Sequence, residues 1–237
     1  MSKIVGLTVL VLVSSGCAAT PGASDEGTAP KKPEEVPVGR ICGGTLFSPE
    51  GGKALERLMS ANRFQLSKPG STNGADEVAK VLQAAYRAGA DVVNMPNVSC
   101  EIRGVRDVEG LGRYPSARVR FNPASKHADG SGADISGVTV DRVDTSHTVA
   151  FDCVSSRIGS TSTVPLRITA DFVGWGTKDR AADPAAAPDY LVVIHSAARA
   201  VAKELGCENG GGLPGRPEEL ERFVRAPVPS ATGSTTP

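Results

Sequence analysis

The chain reads as an α+β domain: a two-layer sandwich of about five antiparallel strands, with three helices on one face of the sheet and two disulfides. Three observations predict this. Apolar residues recur at helical spacing on both sides of the chain's middle. Between those stretches the period changes to two, in five separate segments. Four cysteines, Cys42, Cys100, Cys153 and Cys207, are spread through the same region, none in a Cys-x-x-Cys pair.

In chain order, the first element is an export signal over 1–16. Lys3 precedes the apolar run Ile4 to Val13, and the small residues Ser14-Ser15-Gly16 precede Cys17. A basic start, about ten apolar residues and a small-residue cleavage point make a secretory signal, too short to span a bilayer. Small residues followed by Cys resemble the lipobox of bacterial lipoproteins, with Val13 one place further out than the usual aliphatic residue. That resemblance implies a diacylglycerol on the thiol of Cys17 and cleavage before it. Acyl burial is worth about 0.8 kcal/mol per CH₂, so two chains hold where one is marginal. An ordinary cleaved signal with a coincidental Cys is the alternative. Removing residues 1–16 takes Lys3 away and leaves 221 residues with 25 basic and 26 acidic side chains. Near-neutrality argues against a nucleic-acid partner.

From Cys17 to about Arg40 the sequence has four Pro, three Gly and no large apolar side chain except two Val. The expectation is a disordered tether, about 25 Å in mean span. The folded domain is expected over 41–213. Ser48-Pro49-Glu50 is a helix start: a capping hydroxyl, Pro in the first turn, and an acid at the positive end. Leu55, Leu58 and Met59 carry the spacing on, although Gly51 and Gly52 weaken the first turn. Gly70 to Gly74 is a loop. A second helix runs from about Ala75 to Ala88 with the stripe Val78, Val81, Leu82 and Ala85, ending at Gly89.

Five strands follow. Val98, Cys100 and Ile102 alternate with Ser99, Glu101 and Arg103; Ala117, Val119 and Phe121 with Arg118 and Arg120. Val138 and Val140 alternate with Thr139 and Asp141; Val149, Phe151 and Cys153 with Thr148, Ala150 and Asp152. The last sets Val164, Leu166, Ile168, Ala170 and Phe172 against Pro165, Arg167, Thr169 and Asp171. Such strands have one covered face. The third helix spans about Asp189 to Leu205, with the seam Leu191, Ile194, Ala198, Val201 and Leu205, Asp189 as cap and Gly206 as left-handed terminator. A short helix around Glu218 to Val224 is expected within an otherwise disordered tail, 214–237.

An even number of cysteines in an exported chain suggests two disulfides. Three pairings exist. Cys100 and Cys153 share the inward strand face, and Cys42 and Cys207 lie at the two ends of the domain. The expected pairs are therefore Cys100–Cys153 and Cys42–Cys207. The pieces Cys42-Gly-Gly-Thr-Leu with its Ala-Leu-Glu helix, Tyr86-Arg-Ala-Gly before Cys100-Glu-Ile, Phe151-Asp-Cys153 and Ala202-Lys-Glu-Leu-Gly-Cys207 resemble a group of exported lipoproteins of actinomycete bacteria. The resemblance covers most of 41–213. It implies an address and a fold and carries over no functional residue.

Catalytic and metal patterns are weak. His127, His147 and His195 form no His-x-x-x-His or Glu-x-x-His spacing. His195 is one place past the third helix's seam and is expected to be partly exposed. Asp129, Ser131 and Asp134 in the loop 126–134 could offer oxygens to Ca²⁺, but the loop lacks the acid that ends an EF-hand and equally suits a hairpin turn. No Gly-x-Ser-x-Gly elbow or phosphate loop is present. The expectation is no catalytic residue, no metal and no cofactor. Arg103, Arg118, Arg120 and Arg167 should project from the sheet's polar face among Glu101, Asp141, Asp152 and Asp171. They are the candidate binding face, for a carboxylate, a glycan or a protein. The alternative there is a solvated face of cross-strand ion pairs. The implied role is a non-catalytic binding or accessory module, held at the extracytoplasmic face of the cell membrane by the lipid on Cys17. An envelope enzyme and a structural surface component are the alternatives.

Overall fold

A computed structural model describes residues 33–66, 73–89, 98–105, 115–123, 137–143, 146–175 and 184–225. They belong to one unit that begins at Pro33. The signal, Cys17, most of the tether, His127 and the loop with Asp129, Ser131 and Asp134 lie outside the described residues.

Seven strands form one antiparallel sheet: β1 (Glu35–Val36), β2 (Arg63–Gln65), β3 (Val98–Val105), β4 (Ser116–Pro123), β5 (Thr139–Val143), β6 (Ser146–Cys153) and β7 (Leu166–Trp175). The spatial order is β1-β2-β3-β4-β7-β6-β5. Beyond β5, the Arg225 N–H donates to the Val140 carbonyl at 3.0 Å, so the segment near the C-terminus caps that margin. Among the described residues the three long helices are α1 (Pro49–Met59), α2 (Ala75–Arg87) and α3 (Ala187–Leu205). Short 3-10 turns are added at Val38–Arg40, Cys42–Gly44, Pro184–Ala186, Glu208–Gly212 and Pro217–Phe223.

The α+β class and the number of disulfides agree with the sequence expectation; the cysteine pairing and the element counts do not. All five alternating segments are strands, and every residue assigned to the covered face within β3, β4, β6 and β7 is buried. Helix α3 packs against β6 and β7, α2 against β3 and β4, and α1 against α3. Removing each large side chain of that layer from water contributes about 1.5–3 kcal/mol. Strands β1 and β2 were not anticipated, because two or three residues show no alternation. Val36 is buried within the stretch read as tether, and Leu220 within the stretch read as tail. Val164 is 59% exposed and lies outside β7, because the tight turn Thr161–Val164 closes before the strand begins.

The helix signals are largely as read. Ser48 caps α1, its Oγ accepting the Gly51 N–H at 3.1 Å. The glycines that weaken this turn have a packing reason. A Cβ on Gly51 would lie 2.5 Å from Ser196 Oγ, and one on Gly52 3.1 Å from Val38. Asp189 does not cap α3, which starts two residues earlier with Pro188 in its first turn. It pairs instead with Arg57 of α1, Nε to Oδ2 at 3.0 Å.

The cysteine pairing is the main correction. The bonds are Cys42–Cys100 and Cys153–Cys207, with Cα separations of 5.6 and 4.9 Å. Cys100 and Cys153 do share the inward face, but β3 and β6 are three strand spacings apart, about 14 Å. A disulfide needs Cα atoms within about 7 Å. Each strand cysteine therefore takes the end cysteine that lies over its own half of the sheet.

Candidate functional site

A cleft of about 840 Å³ opens between the start of α1, the outer face of α3 and the segment that follows Cys207. Its floor is where the two helices touch. The Ser48 N–H donates to Ser196 Oγ at 2.7 Å, and Ser196 Oγ donates to Ser48 Oγ at 3.1 Å. Both hydroxyls are thus engaged with each other and with backbone, and among the described residues neither is hydrogen-bonded to an imidazole that would make it a nucleophile.

The third wall is the chain from Cys207 to Pro217. Asn209, Gly210, Gly211 and Gly212 all have φ between 48° and 73°, a left-handed turn. A run of that kind needs glycine, because a Cβ there meets the following carbonyl. At Gly211 the need is double: an added Cβ would lie 2.6 Å from the Phe151 ring. The turn is tied at its start by Cys153–Cys207 and by the Glu208 N–H, which donates to the Val154 carbonyl at 2.8 Å. At its far end the Pro214 carbonyl accepts His195 Nε2–H at 2.8 Å and Arg199 Nη1–H at 2.9 Å.

His195 is therefore 5% exposed, not partly exposed as its helix position suggested, because this wall passes over it. Burial pushes its pKa below the ordinary histidine value, so it is neutral at pH 7 and adds no charge to the cleft. The charged lining is Glu50 on α1 and Arg199, Lys203 and Glu204 on α3, with Phe47 and Pro217 as apolar surface. Sequence reasoning missed this set. The available signal was Arg199 and Lys203, four residues apart and off the apolar seam.

The candidate arginine face is present on the other side of the sheet. Arg118 reaches Glu101 at 2.7 Å, Arg120 reaches Asp171 at 3.4 Å, and Arg167 reaches Asp152 at 2.9 Å. Each pair joins directly opposed residues of neighbouring strands. Arg167 is 5% exposed and also donates to the Gly137 carbonyl at 3.0 Å. Asp141 pairs with Arg225 at 2.6 Å. Arg103, exposed at the Gln65 and Ser116 register, has no ion pair among the described residues.

His147 is buried in β6, stacked on Tyr190 with ring centroids 4.7 Å apart. Neither of its ring nitrogens has a hydrogen-bond partner among the described residues. Burial, with Arg142 nearby, lowers its pKa to about 4. No group of three or more His, Cys, Asp or Glu among the described residues is placed to hold a metal ion. No described helix is long and apolar enough to cross a membrane. Compared with protein-family models, curated proteins and solved structures, the chain matches none.

Proposed function

We propose that this is a lipid-anchored binding protein of the extracytoplasmic membrane face, in which Cys17 carries the anchor and the α1–α3 cleft receives a small ligand. The observation that carries the reading is the cleft's construction. Its volume falls in the range of ligand sites, about 300–1,000 Å³. Its walls are two packed helices and a turn fixed by a disulfide, so little ordering is lost on binding. Binding rather than catalysis suits a site whose hydroxyls are mutually satisfied and whose histidine is committed to a backbone carbonyl. The arginine face suits binding less, since most of its charge is already paired across strands.

Two measurements test this. The purified native chain should partition into detergent and exceed the mass of its peptide from Cys17, while Cys17→Ala stays in water at peptide mass. Thermal-shift screening of the mature chain with pools of peptides, sugars and nucleotides should find a stabilising class. A ligand at a hundred times its Kd adds about 2.7 kcal/mol. No stabilising class, or one indifferent to substitution at Arg199 and Lys203, ends the cleft reading.

A further inference from the structure

From the burial of His147 at the β5 margin of the sheet, we infer an acid-operated latch: protonation of His147 releases residues 217–225 from that margin while the rest of the domain stays folded. The latch is independent of what the cleft binds.

Residues 217–225 form a strap across β5, the last strand of the sheet. The strap's 3-10 turn, Pro217–Phe223, buries Pro217 and Leu220 and packs against α3 and β5. Glu221 pairs with Arg142. The Arg225 guanidinium donates to both oxygens of Asp141, at 2.9 and 2.6 Å. The Arg225 N–H donates to the Val140 carbonyl at 3.0 Å. Val140 is buried on the helix side of the sheet, and Arg142, two residues on, shares that side, whereas Asp141 takes the other. The strap therefore grips β5 on both faces.

His147 lies where β5, α3 and the strap come together. From β5 it faces Arg142, its direct partner in the register. From β7 it faces Phe172, and from α3 the phenol ring of Tyr190, on which it stacks. From the strap, Glu221 is the acid whose charge acts on it. Both ring nitrogens of His147 and the Nε of Arg142 are buried without a hydrogen-bond partner among the described residues. Such unpaired atoms cost stability. A phenylalanine would stack on Tyr190 without that cost, so what the histidine adds is a place for a proton. Once charged, it is a like charge directly opposite Arg142, in a site that excludes water. The counter-charge, Glu221, is already held by Arg142. Lifting the strap brings water to the imidazolium and leaves the pairing of β4, β7 and β6 intact.

The direction follows from which state takes the proton more readily. With the strap closed, burial first and Arg142 second outweigh Glu221 and hold His147 to about 4. In water a histidine titrates near 6.5. Acid therefore favours the open strap: its opening constant rises as pH falls from about 6.5 to 4 and is flat above. At pH 4.5 it should exceed its value at pH 7.5 by up to about 70-fold.

The test is hydrogen exchange of the full mature chain at pH 7.5 and 4.5, read by mass spectrometry and divided by the intrinsic rate at each pH. Peptides covering 217–225 should open at least about twentyfold more at pH 4.5. Peptides from β4 and β7, at the centre of the sheet, should stay better protected than the strap by about tenfold or more at both pH values. Two replacements that cannot titrate, His147→Phe and His147→Gln, should each hold the rise below about threefold and leave His195 in place. Thermal midpoints at pH 7.5 check that they fold, and either one suffices. Strap exchange that ignores pH, a rise that persists in a folded His147 variant, or a strap and central strands that open with one common constant would each overturn the latch.

Discussion

The two disulfides are built alike and placed differently. Each joins a strand cysteine to one beside a left-handed turn: Cys42-Gly43-Gly44, with φ of 49°, 66° and 70°, and Cys207 before Asn209 to Gly212. Cys42 and Cys100 are both buried, and the turn beside them packs on Gly74 at the start of α2. Cys153 is buried too, but Cys207 is half-buried and lines the cleft. One bond holds core to core; the other holds a wall of the cleft to the core. The same local device therefore serves stability alone in one half of the sheet, and stability together with the shape of the cleft in the other.

Removing either bond is the largest way to probe the difference. The closed loops span 58 and 54 residues, and the chain-entropy model assigns each about 4 kcal/mol. Cys42→Ala with Cys100→Ala and Cys153→Ala with Cys207→Ala should lose similar stability in urea melts. Only the second pair should also weaken ligand binding in the cleft. Under native conditions with mild reductant, alkylation and mass mapping should find Cys153 and Cys207 labelled first. Equal labelling of all four would erase the distinction.

Glycine substitutions sharpen it. Gly211→Ala combines a left-handed backbone with a Cβ 2.6 Å from Phe151, and should cost about 2–4 kcal/mol. Gly210→Ala meets no atom within 4 Å and should cost about 1–2 kcal/mol, from the backbone alone. Denaturation midpoints separate the two, and Gly211→Ala alone should displace the wall and lower affinity.

Acid sensitivity should also belong to the cleft-bearing half, where both described histidines lie. The unfolded chain protonates a histidine near pH 6.5, whereas folded His147 waits until about 4. The unfolded state then binds more protons between those values, so stability falls as pH drops from about 6.5 to 4 and is flat above. The gap is worth roughly 3 kcal/mol at most. His147→Phe, which keeps the stack on Tyr190, should remove most of that slope in melts run across this range. A slope unchanged by the substitution would locate the acid sensitivity elsewhere. The smallest effect is expected at the floor: Ser196→Ala removes the acceptor for the Ser48 N–H and should cost about 1 kcal/mol.

How much could be read beforehand follows from what is local. Alternation placed Val119, Phe151 and Ile168 inward, and spacing placed Leu191 to Leu205 on one seam, because these patterns are set by neighbours along the chain. Strand order is not local. The register that puts β4 against β7 depends on packing of the whole sheet, and with it went the cysteine pairing. The cleft was hidden for a similar reason. Ser48 and Ser196 are 148 positions apart, and Pro214 must fold back over α3 before His195 is covered. The consecutive glycines 210–212 were a local sign of a left-handed turn, but not of what it would enclose.

Both margins of the sheet are finished by the chain's own outlying segments, two residues of β1 on one side and the stretch through Arg225 on the other. On the β1 side the cover is partial, since β2 pairs with only Arg103 to Val105 of the eight-residue β3. Each such short segment still shortens the edge that a strand from another molecule could extend, and so reduces the backbone open to fibril-like pairing.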